Sequence, residues 1–409
     1  MPISGSTIRR DFPIFCNKMQ QPLIYCDSAA TAQKPQCVLD AMDQFYTRAN
    51  ANIHRGMHPL AERATELYEE ARGTVRKFLR AKHESEIIFT KSATEGMNLI
   101  AQSWGRQNLA EGDTVVLSIL EHHSNIVPWL QLKEEKGINI EWIGLMEDGS
   151  LDLAQYHDLL EQHTVKLVSI TGLSNVTGVR IPLADIIKDA HASGAKVAID
   201  AAQLIVHHPV DVQDLDCDFL VFSGHKLYGP TGIGVLFGKK DYLESMPPFL
   251  GGGGMIQEVH CDYFSSKELP AKFEAGTPPI AEAIGLAAAI QWLAQFSWKE
   301  IEAYESSLIS SALPALQSVK GLTTLGPQHA EKISGCISFT VEGVHPHDLT
   351  DILGQQNICL RAGHHCAQPL HEHYNVSAST RLSFALYNML EEIAVLIEAI
   401  EKAKAIFLS

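Results

Sequence analysis

Asp200 and Lys226, twenty-six positions apart, are the residues whose surroundings most clearly suggest chemistry. Lys226 follows the apolar run 218–223 and precedes the glycine-rich stretch 228–237. A strand, a sharp turn and a second strand would hold its amine in a poorly solvated pocket, where burial disfavours the ammonium and leaves a nucleophile. The alternative is a lysine whose charged end reaches solvent. Asp200 ends a second apolar run, 195–199, so an acid and a lysine each follow a predicted strand.

An acid and a lysine in this arrangement are what a pyridoxal 5'-phosphate (PLP) site requires. The lysine amine binds the cofactor as a Schiff base, and the carboxylate pairs with the pyridinium nitrogen so that the ring acts as an electron sink. The two features together favour a PLP enzyme over a purely structural role for either residue.

A thiol in the C-terminal part of the chain stands among polar residues. The stretch 360–369 has neither helical nor strand periodicity and is predicted to be a loop. Beside Arg361, His364 and His365, Cys366 is expected to exist partly as the nucleophilic thiolate. One alternative is a buried structural cysteine. A second is a metal site, since histidines and this thiol are metal-ligand types, although their spacing fits no common zinc module.

Hydroxyl and imidazole groups near other strand ends could bind a phosphate. Residues 92–96 lie where a strand gives way to a helix, so their N–H groups and the Thr94 hydroxyl are candidates. Thr94 could instead be a plain helix N-cap. Ser223 and His225, beside the candidate lysine, offer two further donors to the same phosphate.

Three further kinds of side chain could complete the site. His122, in the segment 121–125, follows a predicted strand and could stack on a pyridine ring and exchange protons, or could belong to a solvated turn. Asn175 and Gln203 could bind the phenolic oxygen of the cofactor, or could be ordinary loop amides. Arg381 could bind a substrate carboxylate. Its alternative, a surface salt bridge, is weakened by the apolar residues that follow it.

Length and composition indicate a two-domain globular protein. A chain of 409 residues exceeds one typical core, and 45% hydrophobic with 20% charged residues is ordinary for a globular fold. The net charge of −16 and the lack of a basic stripe argue against a nucleic-acid partner. We see no segment suited to a signal peptide or a membrane span. The eight cysteines form no CxxC pair, so we expect reduced thiols and a cytoplasmic protein.

The apolar runs predict how the chain is organised. From about residue 85 to 240 they alternate with helical patterns, which predicts an α/β fold with a mostly parallel sheet covered by helices on both faces. The runs 219–222 and 234–237, joined by a glycine-rich turn, suggest one antiparallel strand. After about residue 290, long helical patterns flank strand-like runs, which indicates a smaller α/β domain. The predicted units are an N-terminal arm packing with the small domain (1–24), a large PLP-binding domain (25–290) and a small domain carrying the cysteine loop (291–409).

With these residues, the chain closely resembles the cysteine desulfurases of PLP fold type I. Within them it resembles the SufS-like branch (group II) of the class V aminotransferase superfamily. The resemblance runs nearly end to end. Segments 200–203 and 223–226 mark the wider superfamily, and 361–366 is the most specific part. The other matching segments are 25–30, 54–58, 93–96, 121–123 and 273–277. The resemblance implies a seven-stranded type of sheet in the large domain.

The resemblance also implies roles in cofactor binding. Lys226 carries PLP, and Asp200 pairs with the ring nitrogen. Asn175 and Gln203 contact the ring oxygen. Thr277 is expected to reach the phosphate of the neighbouring subunit, which implies an obligate homodimer. The side chains expected to bind the phosphate within the same subunit are Thr94, Ser223 and His225.

The implied reaction converts L-cysteine to L-alanine. The Lys226 amine removes the Cα proton, and His122, stacked on the ring, handles further protons. Cys366 attacks the substrate sulfur as a thiolate and becomes a persulfide. An acceptor protein, SufE-like or SufU-like, then takes the sulfur for iron–sulfur cluster assembly. The residues implied to bind substrate are Arg381 and Asn175 for its carboxylate, with His54, Arg55 and Arg361 lining the pocket.

Other functions are compatible with parts of this pattern. A selenocysteine lyase would use the same cleft and need no attacking thiol, because a selenol is a better leaving group. A PLP aminotransferase or a kynureninase-like hydrolase would explain Lys226 and Asp200 but would have no use for the thiol of Cys366. A zinc-bound scaffold for sulfur-carrier assembly would bind metal in place of PLP.

Overall fold

A computed structural model describes residues 3–16 and 22–408. The strands are β1 Ile24–Tyr25, β2 Ile87–Thr90, β3 Thr114–Ser118, β4 Asn139–Ile143, β5 Val165–Thr171, β6 Lys196–Asp200, β7 Phe219–Ser223, β8 Gly234–Gly238, β9 Ile256–Val259, β10 Phe264–Ser266, β11 Leu322–Leu325, β12 Cys336–Val341, β13 Ile358–Cys359, β14 Arg361–Gly363 and β15 Ser379–Ser383.

Helices surround these strands. Their bounds are α1 Gly5–Ile8, α2 Pro13–Cys16, α3 Gln36–Arg48, α4 Pro59–Leu79, α5 Ala93–Leu99, α6 Arg106–Asn108, α7 Val127–Lys136, α8 Leu153–Gln162, α9 Leu183–Ala192, α10 Leu204–His207, α11 Val212–Leu215, α12 Lys240–Ser245, α13 Ile280–Leu293, α14 Trp298–Gln317, α15 Pro346–Gly354, α16 Gln368–His373 and α17 Glu391–Leu408. A π-helix at Ile100–Gly105 links α5 to α6.

The large sheet has seven strands within the described residues, in the order β2-β8-β7-β6-β5-β3-β4. β8 runs antiparallel to both of its neighbours, and the other neighbouring pairs are parallel. Every residue of β2, β3, β7 and β8 is buried, because helices cover both faces and the strands are apolar apart from residues at their ends. The predicted mostly parallel sheet with one antiparallel strand is confirmed.

The edge strand β4 was not predicted from the sequence. Its burial pattern mixes exposed, half-buried and buried residues, unlike that of the other edge strand, β2, which is buried throughout. The hairpin of β9 and β10 was missed for a similar reason, since β9 is mostly exposed and both strands are short. Strands of this kind lack the continuous apolar run that identified the buried ones.

The small sheet is antiparallel throughout, in the order β11-β12-β15-β14. It corrects the prediction that 360–369 is entirely a loop, because Arg361–Gly363 pairs with β15 and α16 begins at Gln368. Within this stretch, only residues 360 and 364–367 lie outside strands and helices. A three-residue strand has no detectable periodicity of its own, and its pairing is supplied by a distant segment.

The N-terminal segment 3–16 packs against elements that are far away in sequence. The ring of Phe12 lies 5.2 Å from that of Trp292 on α13 and 5.0 Å from that of Tyr387 before α17. The Gly5 N–H donates to the Tyr304 hydroxyl of α14 at 2.8 Å. The ring of Phe12 also lies 6.0 Å from that of Tyr228, so the arm contacts residues on both sides of the predicted boundary at 290. The domain boundaries at 24 and 290 stay predictions, and residues 17–21 of the predicted arm lie outside the described part.

No single helix among the described residues combines the length and the apolar character that a membrane span needs. α13 and α14 satisfy that criterion only together, and they are bent by 84° at the break between them.

Candidate active site

A cleft of about 600 Å³ opens where the parallel strands of the large sheet end. In open α/β sheets, ligands bind beyond the carboxyl ends of the strands. The predicted site residues that line the cleft are Thr94, His122, Asn175, Asp200, Gln203, Ser223, His225, Lys226, Arg361, Cys366 and Arg381. The structure therefore brings together, in a single chain, residues from the large sheet and from the C-terminal segment.

Asp200 and Lys226 are placed by neighbouring strands. Asp200 is the last residue of β6 and is buried, with its Oδ1 accepting the N–H of Ala202 at 2.9 Å. Lys226 closes the single helical turn that follows β7, and its side chain borders the cleft. Burial lowers the pKa of Lys226, and the nearby Asp200 charge opposes that effect. Burial likewise raises the pKa of Asp200. The direction at Lys226 is the one a nucleophilic amine needs.

His122 lies in the turn after β3 and faces the cleft. Its Nδ1 accepts the N–H of Ser124 at 3.1 Å, which leaves the ring proton on Nε2 in the neutral form. Burial, then the positive charge of Lys226, lowers the pKa of His122 to about 3. The imidazole is therefore neutral near pH 7, and a solvated turn is not its environment.

The start of α5 forms one end of the cleft. Ser92 is the N-cap, because its hydroxyl accepts the N–H of Glu95 at 3.3 Å. Thr94 is thus not the cap, and it lines the cleft with an exposed side chain. The Ser223 hydroxyl accepts the N–H of Ala93 at 2.8 Å and ties this helix to the end of β7. Hydroxyls and helix N–H groups that converge in this way suit a phosphate.

Asn175 and Gln203 also reach the cleft, and both amides are oriented by main-chain carbonyls. The Asn175 side chain donates to the carbonyl of His365 at 2.7 Å. The Gln203 side chain donates to the carbonyl of Ala29 at 2.8 Å. Asn175 therefore links the loop after β5 to the segment that carries Cys366.

Arg381 lies beneath the cleft, with its side chain 2% exposed, so the surface salt bridge considered for it is wrong. Its Nη1 donates to the carbonyl of Asn175 at 3.0 Å, and its Nη2 lies 3.4 Å from Oδ1 of Asp27. Nε has no hydrogen-bond partner among the described residues. An orphaned guanidinium N–H beside a cleft is a donor that a substrate carboxylate would satisfy.

Asp27 is a site residue that the sequence reasoning missed. Its carboxylate accepts Nε and Nη2 of Arg361, at 3.0 Å and 2.8 Å, and also contacts Arg381. Asp27 pairs with Ser383 in an isolated bridge beside β15, which brings it to the two arginines. It stands within the segment 25–30 that matched the family, but no local pattern in the sequence indicates a link to residues more than 300 positions away.

Cys366 is exposed at the mouth of the cleft, so the buried structural cysteine is wrong. It lies in the irregular segment between β14 and α16, and both His365 and Cys366 have left-handed backbones, with φ of 51° and 56°. In the described part of the chain, no group of three or more histidine, cysteine or acidic side chains has the geometry to hold a metal ion.

His54, Arg55 and Thr277 do not line this cleft. They lie together in a second cleft of about 360 Å³, beside the glycine pair 253–254 and Lys267. His54 and Arg55 lie a few residues before α4, whereas Lys226 lies in the turn that follows β7. Within one chain these residues are therefore separate from Lys226, and their predicted contacts with cofactor and substrate would require a second subunit.

The residues of the main cleft fit PLP. Asp200 is a buried acid that can pair with a protonated ring nitrogen, and Lys226 is an amine whose pKa is lowered. His122 presents a neutral ring to the same space. The hydroxyls at the start of α5 suit the phosphate, and the orphaned Nε of Arg381 suits an anionic substrate group. Each chemical part of the cofactor and of an amino acid substrate has a counterpart here.

Comparisons with known proteins agree with this site. A family model described as Aminotransferase class-V matches residues 24–396. A probable cysteine desulfurase of Synechocystis sp. is 44% identical over 404 residues, which are 98% of this chain and 96% of the relative. One from Halalkalibacterium halodurans is 46% identical over 406 residues, 99% of each chain. The crystal structure of the cysteine desulfurase CsdA (S-sulfonic acid) from Escherichia coli matches with a TM-score of 0.90 and 39% identity, over 99% of both chains.

Fold and cleft thus define a PLP-dependent enzyme of fold type I, as predicted. The chain belongs to the aminotransferase class-V family and, by its similarity to these relatives, to the cysteine desulfurases within it.

Proposed function

We propose that the enzyme converts L-cysteine to L-alanine and leaves the substrate sulfur on Cys366 as a persulfide. The observation that carries this proposal is the presence of an exposed thiol in the same cleft as Lys226 and Asp200. An aminotransferase or a kynureninase-like hydrolase would need the amine and the acid but not the thiol. Relatives described as cysteine desulfurases at 44% and 46% identity support the same activity.

Substrate binding is assigned to the buried arginine and its neighbours. The free Nε of Arg381 would donate to the substrate carboxylate, and the Asn175 amide would donate to the same group. Arg361, held by Asp27 at the rim, supplies a second guanidinium. A carboxylate fixed at these donors leaves the side chain of the substrate free to point toward Cys366.

Proton movements are assigned to two side chains. When bound, PLP supplies an electron sink for the charge that develops at the substrate Cα, and Asp200 keeps the pyridine ring electron-poor. The Lys226 amine is suited to accept the Cα proton, because burial lowers its pKa. His122 holds its exchangeable proton on Nε2, since Nδ1 is occupied by the Ser124 N–H. It can therefore donate that proton and take it back within the cleft.

Sulfur transfer uses the thiolate of Cys366. The thiolate attacks the substrate sulfur, so a sulfur–sulfur bond forms as the carbon–sulfur bond breaks. The bonding electrons stay with the substrate carbon, which is then protonated, and the amino acid leaves as alanine. Cysteine and the enzyme thiol thus give alanine and an enzyme persulfide, with no external oxidant or reductant.

The wider roles follow from the family resemblance and from the second cleft. We infer a homodimer in which His54, Arg55 and Thr277 of one subunit complete the cofactor site of the other, since they form a cleft separate from Lys226. We also infer the SufS-like type, with a SufE-like or SufU-like acceptor that takes the persulfide for iron–sulfur cluster assembly in the cytoplasm. The exposure of Cys366 supports transfer to a second protein.

The test compares Cys366→Ala with Cys261→Ser, a control that removes a different exposed thiol, in the β9–β10 hairpin segment. Cys366→Ala should keep the visible absorbance of bound PLP and lose alanine formation from L-cysteine. Cys261→Ser should keep both. Undiminished cysteine turnover by Cys366→Ala would rule out the proposal. Selective retention of selenocysteine turnover by that variant would support a lyase activity of the same cleft.

A further inference from the structure

The segment that carries Cys366 is held in an unfavourable backbone conformation. Two consecutive residues, His365 and Cys366, have φ of 51° and 56°, a region that residues with a Cβ rarely adopt. Such a conformation persists only when surrounding contacts hold it in place. The contacts that hold Cys366 therefore decide where its thiol sits.

His123, in the turn after β3, makes two hydrogen bonds to the main chain at and just after Cys366. The N–H of His123 donates to the carbonyl of Cys366 at 2.7 Å. The N–H of Gln368 donates to Nε2 of the His123 imidazole at 3.0 Å. From another side, the Asn175 amide donates to the carbonyl of His365 at 2.7 Å. Of these contacts, the imidazole contact is a side-chain interaction that a substitution can remove without changing the main chain.

We propose that His123 is a positioning residue that fixes the Cys366 thiol against the cofactor cleft. The inference rests on the proposed function, in which Cys366 receives the sulfur. His123 directly follows His122, so one turn after β3 presents an imidazole to the cofactor and also holds the thiol segment. This short turn therefore contributes to the position of the thiol at the cleft.

The protonation state of His123 suits this role. Its Nε2 accepts a hydrogen bond from Gln368, so the imidazole must be neutral with its proton on Nδ1. The ionisable side chains near it are His122, whose ring lies 6.3 Å away, and His364. Burial, then the nearby His364, lowers the pKa of His123 and keeps the acceptor available at neutral pH.

The experiment uses the PLP-bound enzyme and two substitutions. His123→Phe keeps a ring of similar size and removes the acceptor, whereas His123→Gln places an amide oxygen near the position of Nε2. His347→Phe, at an exposed position in α15, controls for the loss of a histidine. Three quantities are measured: kcat and KM for alanine formation, exchange of the Cα hydrogen of L-alanine with D₂O, and the rate of Cys366 alkylation by iodoacetamide.

We expect His123→Phe to lower kcat about tenfold, which corresponds to about 1.4 kcal/mol in the barrier. KM and the Cα exchange, which needs Lys226 but no thiol, should stay within about twofold, and alkylation of Cys366 should accelerate as the segment loosens. His123→Gln should recover most of kcat, and His347→Phe should match the wild type.

Two outcomes would overturn the inference: an unchanged kcat in His123→Phe, or equal losses of kcat and Cα exchange in both His123 variants, which would show general damage to the cleft. Failure of the proposed function is separate, because it would appear as cysteine turnover in Cys366→Ala whatever the His123 variants do.

Discussion

Asp27→Asn should destabilise the enzyme through Arg381. Asp27 is the only carboxylate within salt-bridge distance of Arg381 in the described residues, and that arginine side chain is 2% exposed. Removing one partner of a buried ion pair costs about 3–5 kcal/mol, because the remaining charge is left uncompensated. The 3.4 Å contact is long and asparagine keeps a weak acceptor, so we expect the lower end, about 3 kcal/mol.

The matched control is Arg361→Gln. Arg361 makes the shorter contact with Asp27, at 2.8 Å, but its side chain is 48% exposed. Solvent screens a pair of this kind, so its loss should cost about 1 kcal/mol or less. Distance alone would make Arg361→Gln the more destabilising variant, whereas burial would make it Asp27→Asn. We expect burial to decide the order.

The free energy of unfolding is measured by urea denaturation, because guanidinium salt would screen the charges under test. We expect Asp27→Asn to lose about 2 kcal/mol more than Arg361→Gln, the difference between the two costs above. It should also raise KM for cysteine, since Arg381 loses the group that orients it. Equal destabilisation by the two variants, within 0.5 kcal/mol as a rough limit of the method, would refute the reasoning.

Two further variants test packing and protonation. A Cβ at Gly96 would lie 2.7 Å from Val221. Gly96→Ala should therefore displace α5 from the sheet, destabilise the enzyme by about 1–3 kcal/mol and weaken PLP binding. Gly354→Ala, with open space around it, should leave stability unchanged or slightly increased in the same urea denaturation experiments. Burial lowers the pKa of His365 from 6.5 to about 2. Below pH 6.5 the unfolded chain therefore takes up a proton that the folded chain does not. The free energy of unfolding thus decreases as the pH is lowered. In urea denaturation, the free energy of unfolding of His365→Asn should fall by about 1.2 kcal/mol less than that of the wild type when the pH is lowered from 6 to 5. Equal decreases in the two proteins would contradict this prediction.

Much of the main cleft was predictable because its residues end buried strands. Asp200 is the last residue of β6, and Lys226 follows β7 by a single turn. Continuous apolar runs identify such strands, and parallel strands deliver their carboxyl ends to one edge of the sheet. The location of Asp200 and Lys226 therefore follows from local sequence and simple topology.

Other features depend on contacts that no local pattern encodes. Asp27 reaches Arg361 and Arg381 through pairings between residues more than 300 positions apart. The β14 pairing that shortens the Cys366 segment is supplied by β15. In the sequence His123 is only the neighbour of a functional imidazole, and the structure alone shows its bonds to the main chain of Cys366 and Gln368.

The most direct test of the account is mass spectrometry of the PLP-bound enzyme after brief incubation with L-cysteine. Peptide mapping should find one added sulfur atom on Cys366, and it should be absent in Lys226→Ala, which cannot process the substrate. Unmodified Cys366 in wild-type enzyme that has formed alanine, or the added sulfur on another cysteine, would contradict the central claim.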